Sequence, residues 1–99
     1  MYMEKRRPHY DLIQAELHCI EALSLTVTAR HGIKAIGMTL GDVLQVIQQL
    51  SMGNFYKSMT AQADSRVWQD VYHSQWKGRR LYVKFQKHEK YFIVSFKER

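Results

Sequence analysis

The sequence has few of the residues that several kinds of fold and site depend on. Its single cysteine, Cys19, excludes an internal disulfide, and its apolar neighbours predict a small buried side chain. No apolar run reaches the roughly 18 residues of a membrane span, and the first residues are not those of a secretory leader. There is no low-complexity tract or internal repeat. We therefore expect one folded cytoplasmic domain, residues 1–99, without a membrane partner.

Motifs for metals and nucleotides are missing as well. The sequence has no His-Glu-x-x-His, no paired cysteines and no acidic cluster with the spacing of metal ligands. It also lacks a P-loop and a Gly-x-Gly-x-x-Gly, and its five histidines are scattered. The prediction is a protein with no metal site and no cofactor.

The positive charge is unevenly distributed. All of the net charge of +6 belongs to residues 55–99, which hold ten Lys or Arg against four Asp or Glu. Such a field attracts polyanions, although it specifies neither fold nor chemistry. The asymmetry favours nucleic acid or an acidic protein as the partner.

The first half of the chain has helical spacing. A helix is predicted after Pro8, with its core-facing stripe at Ile13, Leu17, Ile20 and Leu23. The β-branched run 25–29 predicts a short strand, followed by a helical turn or two over 30–37. Thr39 and Asp42 form a capping-box pattern before another apolar stripe. That stripe comprises Leu40, Val43, Leu44, Ile47 and Leu50.

The second half reads as four strands, at 55–60, 67–72, 81–85 and 91–96, joined by short polar links. Short links make antiparallel neighbours, so we predict an α+β fold with helices on one side of a curved, mainly antiparallel sheet. Alternation places Leu81, Val83 and Phe85 on a core face, with Phe92, Val94 and Phe96. The opposite face combines cations, aromatic rings and hydroxyls, which can contact phosphates and stack on bases.

Several short sequence segments, in the same order along the chain, resemble one known family. Phe55 to Thr60 (FYKSMT), Trp68 to Tyr72 (WQDVY), Leu81 to Lys84 (LYVK) and Ile93 to Glu98 (IVSFKE) are similar to the motility quorum-sensing regulator toxins, as is the opening EKRRPH. The resemblance covers nearly the whole chain, with the helical middle matching only in pattern. It implies a RelE-like fold and a sequence-selective endoribonuclease that cleaves messenger RNA at short GC-containing sites without the ribosome.

The resemblance also implies which residues act. It assigns catalysis to Lys57, Gln69 and Tyr82. Strict alternation would place Gln69 with Val67 and Val71 on the core face, which conflicts with that role. Either a bulge turns Gln69 outward, the strand is buried unevenly, or Gln69 is structural. Residues expected to contact RNA are His9, Tyr56, Met59, Arg80, Lys84 and Lys97.

Each assignment has a simpler structural alternative. Lys57 could be a solvated surface lysine, Tyr82 an amphipathic strand residue, and His9 part of a solvated N-terminal arm. Asp70 is expected to pair with Arg79 or Arg80. At the level of function, the alternative is a non-catalytic basic module that binds RNA or an acidic protein through the same face. A transcription regulator acting on DNA is less favoured because no helix is conspicuously basic.

No acid or base pair is needed if the substrate is RNA, whose 2′-hydroxyl is a built-in nucleophile. The protein then has to orient the backbone, neutralise charge and move protons, which Lys, Arg, Tyr and Gln can share. The resemblance further implies a cognate antitoxin with a zinc-binding region and a helix-turn-helix domain.

Overall fold

A five-stranded antiparallel sheet packs on one face against three helices. The computed structural model describes residues 3–89 and 91–99, with the backbone alone at positions 91 and 93. The helices are α1 (Leu12–Glu21), α2 (Val27–Ile36) and α3 (Leu40–Gln48), and a 3₁₀ turn follows at Met52–Asn54. The strands are β1 (Glu4–Lys5), β2 (Phe55–Thr60), β3 (Trp68–Trp76), β4 (Arg79–His88) and β5 (Tyr91–Glu98).

The strands lie in sequence order across the sheet, and each neighbouring pair is antiparallel. Lys77 and Gly78 connect β3 to β4, both with positive φ, which is the two-residue turn that matches the twist of a hairpin. The predicted α+β class is therefore confirmed. None of the helices in the described ranges is long and apolar enough to cross a membrane.

The core lies between the helices and one sheet face. The predicted core residues of β4 and β5 are all buried, which confirms the alternation on those strands. Buried residues from all three helices join them in one cluster. The cluster includes Ala15, Cys19, Ala29, Ile33, Val43, Ile47, Tyr72, Leu81, Val83, Phe85, Val94 and Phe96.

The core-facing stripe predicted for the first helix is wrong at three of its four residues; Leu23, which follows α1, does pack against the core. Ile13, Leu17 and Ile20 are 65%, 50% and 51% exposed, whereas Ala15 and Cys19 of the same helix are 1% exposed. The helix begins at Leu12, after the N-cap Asp11, and turns its small residues toward the core. Small side chains allow a close approach of the helix, so burial here follows fit rather than hydrophobicity alone. The burial predicted for Cys19 is confirmed, and this burial, with Glu16 nearby, raises the pKa of its thiol to about 11.

The strand predicted at 25–29 is also wrong. Leu25 makes only an isolated bridge to Val94, and α2 begins two residues later. Thr26 caps this helix, since its Oγ1 accepts a hydrogen bond from the backbone N–H of Ala29 at 3.0 Å. Hydroxyl residues that suit a strand also suit a helix N-cap, and here the cap is formed. The capping box predicted at Thr39 and Asp42 is confirmed.

Candidate active site on the outer sheet face

The outer face of the sheet, opposite the helices, carries polar and aromatic side chains in four cross-strand rows. Residues that pair directly across antiparallel strands point to the same face, so the register defines each row. The rows are Met59, Gln69 and Gln86; Lys57, Val71, Lys84 and Ser95; His73, Tyr82 and Lys97; and Gln75, Arg80 and Arg99. Seven of the nine residues predicted to act on RNA lie in these rows.

A bulge in β2 adds an eighth, Tyr56. Phe55 pairs with Tyr72 and Lys57 pairs with Val71, so Tyr56 is the extra residue between them. The ring of Tyr56 stacks on His73 of the outer face, next to Lys57. Regular alternation would send two consecutive side chains to opposite faces. The bulge instead brings both Tyr56 and Lys57 outward, which is a common use of bulges near active sites.

Ring and cation contacts link Lys57 to Tyr82 across the outer face. The Lys57 amine lies 5.4 Å from the centroid of the Tyr56 ring, which stacks on His73 at 4.3 Å. The His73 ring lies 6.1 Å from the Tyr82 ring, and the Lys97 amine lies 5.0 Å from Tyr82. Two lysines therefore flank a group of three aromatic rings, an arrangement suited to phosphates and unpaired bases.

An ion pair holds the Lys57 side chain. Its Nζ lies 3.1 Å from Oε2 of Glu4, and the two side chains are 23% and 39% exposed. Glu4 lies on β1 and pairs with Met59, so the N-terminal segment reaches the outer face beside the candidate catalytic lysine. Sequence reasoning did not include Glu4 in the site, because 53 residues separate it from Lys57. Only the β1–β2 pairing joins them.

Gln69 lies on the outer face, and the conflict over its alternation comes from uneven burial of β3, one of the explanations that the sequence left open. It pairs with Gln86, and its Nε2 donates to Gln86 Oε1 at 2.8 Å. The misleading signal was Val71, which is fully buried although it belongs to the outer face. Lys57 and Lys84 flank Val71 in its row, and the apolar stems of lysines can cover such a side chain. The conflict between the alternation of β3 and a role for Gln69 is thereby removed.

Lys84 lies beside Gln69 in a cavity of about 560 Å³, which Met59 and the β2–β3 loop complete. Burial lowers the pKa of Lys84, and the nearby charge of Lys97 lowers it further. A lysine with a lowered pKa gives up its proton more readily than a solvated one. Lys84 can therefore neutralise a phosphate and also take part in proton movement.

The predicted pairing of Asp70 with Arg79 or Arg80 is wrong. Its carboxylate is 1% exposed on the helix side, where it accepts hydrogen bonds from Ser58 Oγ at 2.6 Å and from the backbone N–H groups of His9 and Tyr10 at 3.0 and 2.8 Å. Arg79 instead lies 3.5 Å from Glu98. Asp70 thus anchors the segment that follows β1 to the middle of the sheet.

His73 is the outer-face residue that sequence reasoning missed. It pairs with Tyr82, and its backbone carbonyl accepts from Asn54 Nδ2 at 3.1 Å. Burial lowers the pKa of the imidazole, and the charge of Arg99 lowers it further, which favours the neutral ring near pH 7. His73 lies four residues from Gln69 on the same strand, so the two side chains share a face, and this would have indicated His73 if the face of Gln69 had been known.

His9 is the one predicted RNA contact that does not join the outer face. Its ring stacks on Trp68 at 5.2 Å, and its Nδ1 lies 3.0 Å from the Lys5 amine. Its backbone bond to Asp70 places it on the helix side of the sheet. Within residues 3–89 and 91–99, no group of three or more His, Cys, Asp or Glu side chains is placed to hold a metal ion.

The sequence is similar to a protein family and to a curated protein. The model of the family described as "Motility quorum-sensing regulator, toxin of MqsA" matches residues 7–98. A curated relative, the mRNA interferase toxin MqsR of Escherichia coli strain K12, is 37% identical over 98 residues. That alignment covers 98% of this chain and all of the relative.

Proposed function

The chain belongs to the motility quorum-sensing regulator family, the toxins of MqsA, and from this premise we propose that it cleaves messenger RNA on its outer sheet face. Family membership makes the chain a toxin endoribonuclease. The proposal concerns the substrate, the site and the chemical route. The observation that carries it is the contact chain from Lys57 through Tyr56 and His73 to Tyr82, with Lys97 beyond.

In the proposed reaction, the RNA 2′-hydroxyl loses its proton and attacks the adjacent phosphorus. The bond from phosphorus to the 5′-oxygen breaks, and that oxygen takes up a proton. The products are a 2′,3′-cyclic phosphate and a 5′-hydroxyl end. Lys57 and Lys97 neutralise charge that develops on the phosphoryl oxygens, and this electrostatic help is large when the donors are already positioned. Tyr82 hydrogen-bonds the phosphate or exchanges a proton with it, and Gln69 orients the strand beside Lys84. No metal ion takes part in this route.

The proposed substrate contacts follow from the same rows. In this proposal the ring of Tyr56, which is 46% exposed, contacts an unpaired base, while Met59, Arg80 and Lys84 extend the contact along the strands. We further propose that the enzyme is sequence-selective, acts without the ribosome in the cytoplasm, and is neutralised by an antitoxin that has a zinc-binding region and a helix-turn-helix domain. His9 would contact RNA only where the strand continues around the sheet edge.

Substitution of Lys57 or Tyr82 tests the site directly. Loss of a positioned proton donor or acceptor costs a factor of about 10² to 10⁴ in rate. Lys57→Ala and Tyr82→Phe should each lose most cleavage of a defined RNA while remaining folded. Lys34→Ala is the matched control, because Lys34 is exposed on α2 at the other side of the sheet. Full cleavage by a folded Lys57→Ala variant would contradict the assignment.

A separate experiment tests the proposed attack by the RNA 2′-hydroxyl without a metal ion. Cleavage should persist in excess EDTA and should stop when hydrogen replaces the 2′-hydroxyl next to the cut, while binding of that RNA survives. Cutting of the deoxy-substituted site, or loss in EDTA that magnesium restores, would refute the route. A stable complex without any cut would instead favour the non-catalytic RNA-binding module. In cells, expression of the wild-type chain alone should arrest growth, and Lys57→Ala should not.

A further inference from the structure

A polar cavity of about 330 Å³ opens at the end of β3, beside the proposed reaction site. It is lined by Gln49, Asn54, His73, Ser74, Gln75 and Arg99. The space exists because β2 begins at Phe55, opposite Tyr72, so that the 3₁₀ turn Met52–Asn54 lies alongside the rest of β3 instead of a strand. Its volume falls at the lower end of the range of small-molecule sites, roughly 300–1,000 Å³.

One wall of this cavity is fixed by hydrogen bonds. Asn54 Nδ2 donates to the backbone carbonyl of His73 at 3.1 Å. The other atom of the same amide, Oδ1, accepts from the backbone N–H of Ser51 at 2.9 Å. The His73 ring in turn stacks on Tyr56, which is part of the outer face. The cavity is therefore continuous with the surface on which the RNA is proposed to lie.

The other walls carry side chains whose hydrogen-bonding groups are available to a ligand. The side chains of Gln49, Gln75 and Arg99 make no hydrogen bond or ion pair with any residue in the described ranges. Gln75 and Arg99 flank Arg80 in the last outer-face row. Two amides supply both donors and acceptors, and the guanidinium supplies donors alone. This mixture suits a ligand edge that also presents both kinds of group.

We propose that the cavity receives one unpaired nucleobase next to the cleaved nucleotide, and that Gln75 and Arg99 bind the edge of that base. Bases of single-stranded RNA present donors and acceptors on their edges, and proteins read them in this way. A phosphate is a poorer fit, because it presents only acceptors and would leave the amide oxygens without a donor. The inference rests on the proposed function and identifies a determinant of its sequence selectivity.

The test compares cleavage preferences in a random RNA pool. The pool is cut by the wild-type chain, by Gln75→Ala/Arg99→Ala and by the control Gln48→Ala/Arg30→Ala, and the cut ends are sequenced. The control removes one exposed glutamine and one exposed arginine from the helices. The cavity variant should lose on the order of tenfold in preference at a single position near the cut. The control should keep the wild-type preference at every position.

A second measurement separates this inference from the proposed function. Binding of a deoxy-substituted RNA is measured as each base in turn is removed to leave an abasic site. One abasic position should weaken binding by the wild-type chain by on the order of tenfold and leave binding by the cavity variant unchanged. Equal abasic effects in both proteins, unchanged cleavage preference, or uniform loss at all sites would overturn the inference. Absence of any cleavage by the wild-type chain would refute the proposed function, and the abasic series would still decide the cavity's role.

Discussion

Replacement of Asp70 should destabilise the protein more than any exposed substitution, because three donors converge on its buried carboxylate. Ser58 Oγ and the backbone N–H groups of His9 and Tyr10 all donate within 3.0 Å. A hydrogen bond to a charged group contributes about 1.5–3 kcal/mol, and the three share one acceptor, so their effects are not additive. We expect Asp70→Ala to lower the free energy of unfolding by about 3–5 kcal/mol, because it leaves three donors without their acceptor and each buried unsatisfied group costs about 1–3 kcal/mol.

Two further variants show how much of this destabilisation comes from the hydrogen bond between Ser58 and Asp70. Ser58→Ala removes the shortest bond and leaves the backbone donors satisfied, so its cost should be about 1.5–3 kcal/mol. The double variant Ser58→Ala/Asp70→Ala should cost less than the sum of the two single variants, since Ser58 has already lost its acceptor when Asp70 is replaced. The difference between that sum and the measured value gives the coupling of the pair.

Urea unfolding followed by tryptophan fluorescence measures these changes, and Trp68 lies next to the network. Asp64→Asn is the control, because Asp64 lies in the exposed β2–β3 loop and its carboxylate accepts hydrogen bonds from Arg66, two residues away. Its effect should remain within about 0.5 kcal/mol. If the Asp70→Ala variant unfolds within about 1 kcal/mol of wild type, which is the error of such comparisons, the anchoring role of this carboxylate is refuted.

Two more predictions concern the helices. Gly32→Ala should lower the free energy of unfolding by about 1–3 kcal/mol, because a Cβ there would clash with the backbone carbonyl oxygen of Phe96. In the control Gly41→Ala the new Cβ makes an ordinary contact, so urea unfolding should show a neutral or stabilising effect. Burial raises the pKa of Glu16, so the ionised carboxylate is disfavoured in the folded state and this penalty grows as the pH rises through the folded pKa. Glu16→Gln should therefore stabilise the protein at pH 7 but not at pH 3, and an equal gain from the exposed control Glu21→Gln, or a gain that persists at pH 3, would contradict this origin.

The sequence alone determined the fold class and the concentration of positive charge in the second half of the chain. It also determined most of the residues of the outer face. Leu81, Val83 and Phe85 alternate with polar residues over a strand that is covered on one side only, so a period of two was enough to assign both faces. Thr39 and Asp42 specify a helix start through contacts three residues apart. Such local patterns are readable because the interacting groups are close in sequence.

The tertiary structure decided the features that depend on contacts between residues far apart in the sequence. The bulge that turns Tyr56 outward exists only relative to β3, and Glu4 meets Lys57 only because β1 joins β2. The face of Gln69 could not be read from Val71, because a buried valine can lie under lysine stems as well as in the core. Asp70 is buried because backbone donors from the N-terminal segment reach it, and no pattern along β3 encodes those partners. A polar group can be buried at low cost only beside a hydrogen-bonding partner, so its burial depends on whether the folded chain brings the two partners together.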